Sequence, residues 1–166
     1  MDIAKTATEW TRAEVLSSAF FIVFALAFLL SSLGFLQMGR TDIARAYVVP
    51  MLVAGGLLLA LGGGLFVQSQ VKLAGLAAAY DASASGFVAS EIARAERGLN
   101  NYRVAVVYLF PAIIAACALL IPFLASPVWR AGLITTIAML AIILVIDTNA
   151  NGRLEAYRQQ LTLAAT

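Results

Sequence analysis

The chain has 166 residues, of which 62% are hydrophobic and 12% are charged. Because soluble globular proteins carry roughly 25% charged residues, this chain has too few to cover the surface of a soluble domain. The net charge of +2 is too small to indicate a nucleic-acid partner. The composition therefore predicts an integral membrane protein, with the lipid bilayer as its main partner.

Residue types that carry much of enzyme chemistry are scarce. The chain has no His, so the most common general base and metal ligand is absent. The single Cys, Cys117, lies in an apolar run and has no second thiol for a disulfide and no His to share a metal. We therefore expect a protein that is not an enzyme and has no catalytic residues, no cofactor and no metal site.

Four apolar segments predict an all-α membrane protein with a single domain over residues 1–166. The predicted spans are residues 14–37, 47–70, 103–125 and 127–148. A helix needs about 20 mainly apolar residues to cross a bilayer. The fourth apolar run, Ala131 to Ile146, is long enough only if its helix begins at Pro127 and Arg130 reaches outward to the headgroups. No segment alternates with a period of two, which excludes β-strands.

Local motifs mark the ends of these spans. The sequence Thr11-Arg12-Ala13-Glu14 has the spacing of a capping box and predicts the start of the first span. Thr41 and Asp42 are expected to cap a short interfacial helix between the first two spans. Ser126 stands directly before Pro127, which predicts a tight turn between the third and fourth spans.

Two further features concern helix shape and packing. Pro111 and Pro122 interrupt the third span and are expected to bend it, because each frees a carbonyl four residues earlier. In the second span, Gly56, Ala60 and Gly64 recur every four residues and form a face for close helix packing. The sequence leaves open whether that face packs within one subunit or between subunits of a homo-oligomer.

The central segment, about 71–102, is predicted to extend the second and third helices into a cytoplasmic helical hairpin. Turn-forming residues lie at Asp81 to Gly86, and apolar residues then recur at helical spacing. These are Val88, Ile92, Ala95, Leu99 and Tyr102. Glu91 and Arg94 are placed on the opposite, charged face. The alternative is an amphipathic helix that lies flat on the bilayer.

Asp147 is the main candidate for a functional residue, because it ends the fourth apolar run. Counted from the turn at Ser126, Arg103 and Asp147 lie 23 and 21 residues away, so they should reach similar depth on adjacent helices. This predicts an ion pair; the alternative is an ion- or proton-binding site. With Glu14, Asn149 and Asn151 they form a candidate polar cluster at the cytoplasmic mouth of the bundle.

Lysines and arginines are distributed unevenly over the predicted connections. The side with both termini and the central segment carries eight, and the other side carries three. The eight are Lys5, Arg12, Lys72, Arg94, Arg97, Arg103, Arg153 and Arg158, and the three are Arg40, Arg45 and Arg130. Because Lys and Arg concentrate in cytoplasmic loops, we expect both termini to be cytoplasmic, in the cell (inner) membrane.

The expected function is that of a non-enzymatic scaffold or accessory subunit. Its spans would pack on other membrane helices or on copies of itself, and its cytoplasmic hairpin would bind a protein partner. The alternative is a small transporter or oligomeric channel with the polar cluster at its cytoplasmic mouth. The few polar side chains within the spans favour the scaffold.

Overall fold

The computed structural model describes residues 3–165, which are almost entirely helical. The helices are α1 (Ile3–Met38), α2 (Asp42–Ala46), α3 (Val48–Ala82), α4 (Ala84–Tyr102), a π-helix (Arg103–Leu109), α5 (Phe110–Leu120), a 3-10 turn (Ile121–Phe123) and α6 (Pro127–Ala165). No strand occurs within residues 3–165. The predicted all-α class is confirmed.

Consecutive helical segments join into four long rods within the described residues. Each rod is long and apolar enough to cross a membrane, which confirms the number of predicted spans. They cover Ile3–Met38, Asp42–Ala82, Ala84–Phe123 and Pro127–Ala164, and each has between 36 and 41 residues. At 1.5 Å per residue such a rod is about 55 Å long, against a hydrocarbon core of about 30 Å. All four rods therefore continue beyond a bilayer, whereas the sequence predicted an extension of only the second and third.

The first two rods approach each other closely through glycines of α3. A Cβ added at Gly62 would lie 2.7 Å from the Cβ of Phe21, and one at Gly55 would lie 2.8 Å from Cγ of Leu29. These contacts run in antiparallel order, because Phe21 lies against Gly62 and Leu29 against Gly55. Further along α1, Ser32 donates a hydrogen bond to the Val48 carbonyl at 2.7 Å, close to the start of α3. Glycine is required here because the helices would otherwise be held apart.

The predicted small-residue face does not take part in this packing. Gly56, Ala60 and Gly64 are exposed, and a Cβ added at either glycine would meet no atom within 4 Å. The close approach instead uses Gly55 and Gly62, which lie on another side of the helix. Of the two alternatives that the sequence left open, the structure does not show this face packed inside the subunit. Packing of the face between subunits stays a prediction.

Helix α6 is the centre of the bundle, because α1, α3, α4 and α5 all pack against it. The core between them is apolar and consists of Phe21, Ala25, Phe28, Ala54, Leu58, Leu140, Ile143 and Ile146. Within the described residues, the π-helix and α5 have no Cα atom within 8 Å of a Cα atom of α1 or α3. Helix α5 nevertheless packs on this core through side chains such as Phe110, Ile113 and Ile114, and its backbone approaches that of α6.

A second core lies at the end of the bundle that carries both chain ends; we refer to this end as the termini end. It contains Ala7, Leu76, Phe87, Val88, Tyr157 and Leu161, contributed by α1, α3, α4 and α6. Helix α4 thus turns its apolar face toward the other helices, because Val88 and Ala95 are 6% and 1% exposed. The parts of the four rods at the termini end therefore form a packed helical bundle.

Among the described residues, nearly all exposed large apolar side chains lie within one band along the bundle. Such exposure stops at Val71 on α3, begins again at Val104 and ends at Val145 on α6, with Leu163 as the exception beyond it. Charged residues follow directly at Lys72, Arg103 and Asp147. A band of this kind suits contact with lipid, and the charges mark its edge.

The predicted helix ends had different outcomes. Thr41 caps α2 by accepting a hydrogen bond from the Ala44 N–H at 3.2 Å, and α6 begins at Pro127, as expected. The capping box at Thr11 is wrong, because α1 already includes Ile3 and the Thr11 hydroxyl donates to the Ala7 carbonyl at 2.8 Å.

The central turn and the two prolines are also defined. The turn between α3 and α4 is shorter than predicted, because only Ser83 lies between the two helices. The Ser83 side chain accepts a hydrogen bond from the Gly86 N–H at 3.2 Å. The π-helix ends just before Pro111, and its wider turn accommodates a residue that has no N–H to donate. Pro122 lies in the 3-10 turn that ends the third rod.

Candidate functional site

A network of polar side chains joins all four rods at the termini end; we call it the Glu91 network. Its centre is Oε2 of Glu91, which accepts hydrogen bonds from Lys72 Nζ at 2.8 Å, Arg94 Nη2 at 2.8 Å and the Tyr157 hydroxyl at 2.9 Å. Arg94 also forms an ion pair with Glu14, with 3.7 Å between Nη1 and Oε2. The two carboxylates and two cations balance in charge.

Trp10 completes this network from α1. Its ring stacks on that of Tyr157, with centroids 4.8 Å apart. Lys72 Nζ lies 4.8 Å, and Arg94 Cζ 4.4 Å, from the Trp10 ring centroid, so both cations also face its π surface. Because no Cα atom of α1 lies within 8 Å of one in α4, these side chains bridge a gap between the two helices.

Burial and pairing set the protonation of this network. Burial alone would raise the pKa of Glu91, but hydrogen bonds from Arg94 and Lys72 hold that pKa below its ordinary value of 4.5. Burial lowers the pKa of Lys72, and the bond to Glu91 opposes that shift. Burial and the adjacent Glu91 charge raise the pKa of Tyr157, which keeps its hydroxyl a donor. The pairing therefore favours a charged Glu91.

The placement of Glu91 on the outer, charged face of the central helix is wrong. Glu91 is only 5% exposed and points inward. The sequence carried a signal for this, because Glu91 follows Val88 by three residues and precedes Ala95 by four, so all three share one helical face. An acidic residue on an apolar face indicates a buried partner, and Lys72 and Arg94 supply it.

A cavity of about 370 Å³ lies beside the network, between the four rods at the termini end. All four rods line it, α1 through Trp10 and Ser17, α3 through Leu65, the third rod through Phe110, and α6 through Leu154, together with other residues. Most of the lining is apolar. The charged side chains on its wall are Glu14, Asp147 and Arg153.

The structure brings together only part of the predicted polar cluster. Glu14, Asp147 and Asn151 line this cavity. Asn149 is exposed and does not line it, and Arg103 is exposed and lines a different groove. Arg153, which the sequence analysis used only for orientation, lines the cavity and donates a hydrogen bond to the Ser17 hydroxyl.

The predicted ion pair between Arg103 and Asp147 is wrong. Among the described residues, the Asp147 carboxylate receives no hydrogen bond and forms no ion pair. The predicted depth was right, because the neighbouring residues Tyr102 and Thr148 are joined by a hydrogen bond of 3.2 Å. The faces differ: Arg103 points to the outer groove and Asp147 to the inner cavity.

That outer groove lies between α4 and α6 at the termini end and is rich in polar side chains; we call it the α4–α6 groove. It has a volume of about 370 Å³. Four charged side chains line it, namely Glu96, Arg103, Glu155 and Arg158, together with residues such as Asn100. Apolar side chains such as Leu99 and Val107 also line it, so the groove combines charged groups with apolar surface.

The geometry offers few ligands for a metal ion. Within the part of the chain that the structure describes, no three residues among His, Cys, Asp and Glu are grouped closely enough to hold one. Cys117 is buried in α5.

No protein-family model matches this chain, and no match was found among curated proteins or solved structures.

Proposed function

We propose that the protein is a non-enzymatic membrane scaffold or accessory subunit that binds a protein partner at the α4–α6 groove. The observation that carries this proposal is the groove itself, where two acidic and two basic side chains face outward on a preformed surface. Mixed charges of this kind favour specific, oriented contact with a complementary protein surface.

The rigidity of the surface supports the same function. Helix α4 is tied to α3, α6 and α1 by Glu91 and Arg94, and its apolar face is buried in the second core. A surface held in this way loses little conformational freedom when a partner binds. It also leaves α4 no free apolar face for a bilayer, which supports an extended hairpin over an interfacial helix.

The proposed arrangement is two antiparallel hairpins in the cell (inner) membrane, with the termini end in the cytoplasm. The opposite order of contacts along α1 and α3, and the pairing of Glu91 with Tyr157 and Tyr102 with Thr148 between the other two rods, support it. The excess of Lys and Arg at the termini end supports the orientation.

A small transporter is the second candidate, and the cavity with Glu14, Asp147 and Asn151 favours it. On the side away from the termini end, however, the bundle is filled by large apolar side chains such as Phe21, Phe28, Leu58 and Leu140. One subunit therefore offers no polar path between the two ends. Conduction would require an oligomeric pore or a large rearrangement.

Purification in mild detergent with charge-reversed variants tests the proposal. We expect a partner in fixed stoichiometry with the native chain, and its loss from Glu96→Lys and Arg103→Glu. Asp81→Lys is the matched control, because Asp81 is an exposed acid at the same end but outside the groove. A native chain that purifies alone, or a partner retained equally by all variants, would contradict a docking role for the groove.

A further inference from the structure

Two hydrogen-bond acceptors of the cavity beside the Glu91 network receive no hydrogen bond from residues 3–165. The first is the Asp147 carboxylate, as shown above. The second is Asn151 Oδ1, which is buried. Because these residues are four apart on α6, they lie on the same face of the helix, and both line the cavity.

The other charges on the cavity wall already have contacts. Glu14 is paired with Arg94, and Arg153 is bonded to Ser17. Among the charged groups of this wall, Asp147 is therefore the one that forms no hydrogen bond or ion pair with a described residue. A carboxylate in mainly apolar surroundings is costly unless a cation or a donor accompanies it.

The remaining wall is suited to an apolar molecule. Leu65, Val106 and Phe110 line the same cavity as Asp147, and Trp10 and Tyr102 add aromatic surface. The volume of about 370 Å³ falls within the range of small-molecule sites.

We propose that this cavity binds a primary ammonium group carried on an apolar body. The ammonium N–H groups would donate to the Asp147 carboxylate and to Asn151 Oδ1, and the apolar part would lie against Leu65, Val106 and Phe110. The inference goes beyond the proposed scaffold function and does not depend on it. A divalent metal is a poorer fit, because no three Asp, Glu, His or Cys side chains of the described residues are grouped closely enough to hold one.

Two sources share this chemistry: a free amphipathic amine and the headgroup of an ethanolamine phospholipid. The test uses the full chain with Trp129→Phe, which leaves Trp10, on the cavity wall, as the only Trp. Trp129 is 68% exposed at the other end of the bundle, so its replacement should be tolerated. The protein is placed in nanodiscs of phosphatidylglycerol at neutral pH.

The probe is protonated 2-phenylethylamine, and the readout is the emission of Trp10. We expect a saturable change with the amine and none with propylbenzene, which has the same shape without the charge. Asp147→Asn should weaken binding by at least about tenfold, whereas Glu155→Gln, a carboxylate change on the same helix outside the cavity, should not alter it.

Further arms separate the sources and guard against misfolding. If a lipid headgroup occupies the site, adding phosphatidylethanolamine to the nanodiscs will weaken the apparent affinity for the amine; a free amine predicts no change. Ala150→Phe keeps every charge but fills the cavity, and should abolish binding. Equal binding of amine and propylbenzene, equal affinity of Asp147→Asn, no saturable signal, or retained binding by Ala150→Phe would each overturn the proposal.

Discussion

At the scale of single residues, Glu91 has the largest structural role in the termini end. One carboxylate oxygen accepts three hydrogen bonds from two helices other than its own and from Arg94. Removing a buried acceptor leaves its donors without a partner. The free-energy cost of those unpaired donors is larger than the net stability that the hydrogen bonds contributed. The stability of the extension therefore depends on this residue more than on its surface ion pairs.

We expect Glu91→Ala to lower the free energy of unfolding by about 2–4 kcal/mol, because Lys72, Arg94 and Tyr157 lose their common acceptor. Tyr157→Phe removes one bond to a charged group and should cost about 1–2 kcal/mol. The control is Glu155→Ala, which breaks an exposed ion pair and should cost less than about 0.5 kcal/mol. Unfolding in detergent measures all three; equal values for Glu91→Ala and the control would contradict the network.

The protonation of Glu91 predicts a pH dependence. Its pKa is lower in the folded protein than the ordinary value of 4.5, so the unfolded chain binds a proton first as pH falls. The stabilisation is fully present above about pH 4.5 and is lost as pH falls through the folded pKa. We expect the free energy of unfolding, measured as a function of pH, to become similar for the native chain and Glu91→Gln in acid. A constant difference between the two at every pH would show that Glu91 does not titrate in this way.

Arg103 and Asp147 provide a second test at this scale. Because they face different cavities, their mutations to Ala should act independently, and the double mutant should equal the sum of the single effects within about 0.5 kcal/mol. A four-member thermodynamic cycle in detergent gives the coupling. A coupling above about 1 kcal/mol would restore the ion pair predicted from the sequence.

At the scale of helices, the α1–α3 contact is set by which glycines face the partner. Gly62→Ala brings a methyl group within 2.7 Å of Phe21 Cβ and 3.1 Å of the Ile22 nitrogen, so the helices must separate. We expect a loss of about 1–3 kcal/mol. Gly64→Ala, two residues away, meets nothing within 4 Å and should be neutral or stabilising by up to about 1 kcal/mol. Thermal unfolding of the pair distinguishes the faces, and a reversed order would contradict this packing.

Helix existence and several helix ends could be predicted from the sequence, because they depend on local residues. The Thr41 cap and the start of α6 at Pro127 are of this kind. Depth was also predictable, since it follows from counting residues along a helix, as Tyr102 and Thr148 show. The direction in which a residue faces was harder, because each step turns the helix by about 100° and the partner decides which side is buried. Asp147 and Gly56 were misplaced for that reason.

At the scale of the whole molecule, the bundle is strongly asymmetric. Beyond the apolar band, one end holds only the short connections around α2 and before Pro127, whereas the other holds parts of all four rods. That larger end contains the Glu91 network, the cavity and the α4–α6 groove. The proposed partner binding and ligand binding both depend on which side of the membrane it occupies.

Cysteine labelling of intact cells is the most direct test of this arrangement. In a Cys117→Ala background, Thr41→Cys lies before α2 at the small end, and Ser85→Cys lies in the first turn of α4 at the termini end; both positions are exposed. We expect a membrane-impermeant maleimide to label position 41 from outside, and position 85 only after the cells are permeabilised. Labelling of position 85 from outside, or of both positions from the same side, would contradict the four-span arrangement with a cytoplasmic termini end.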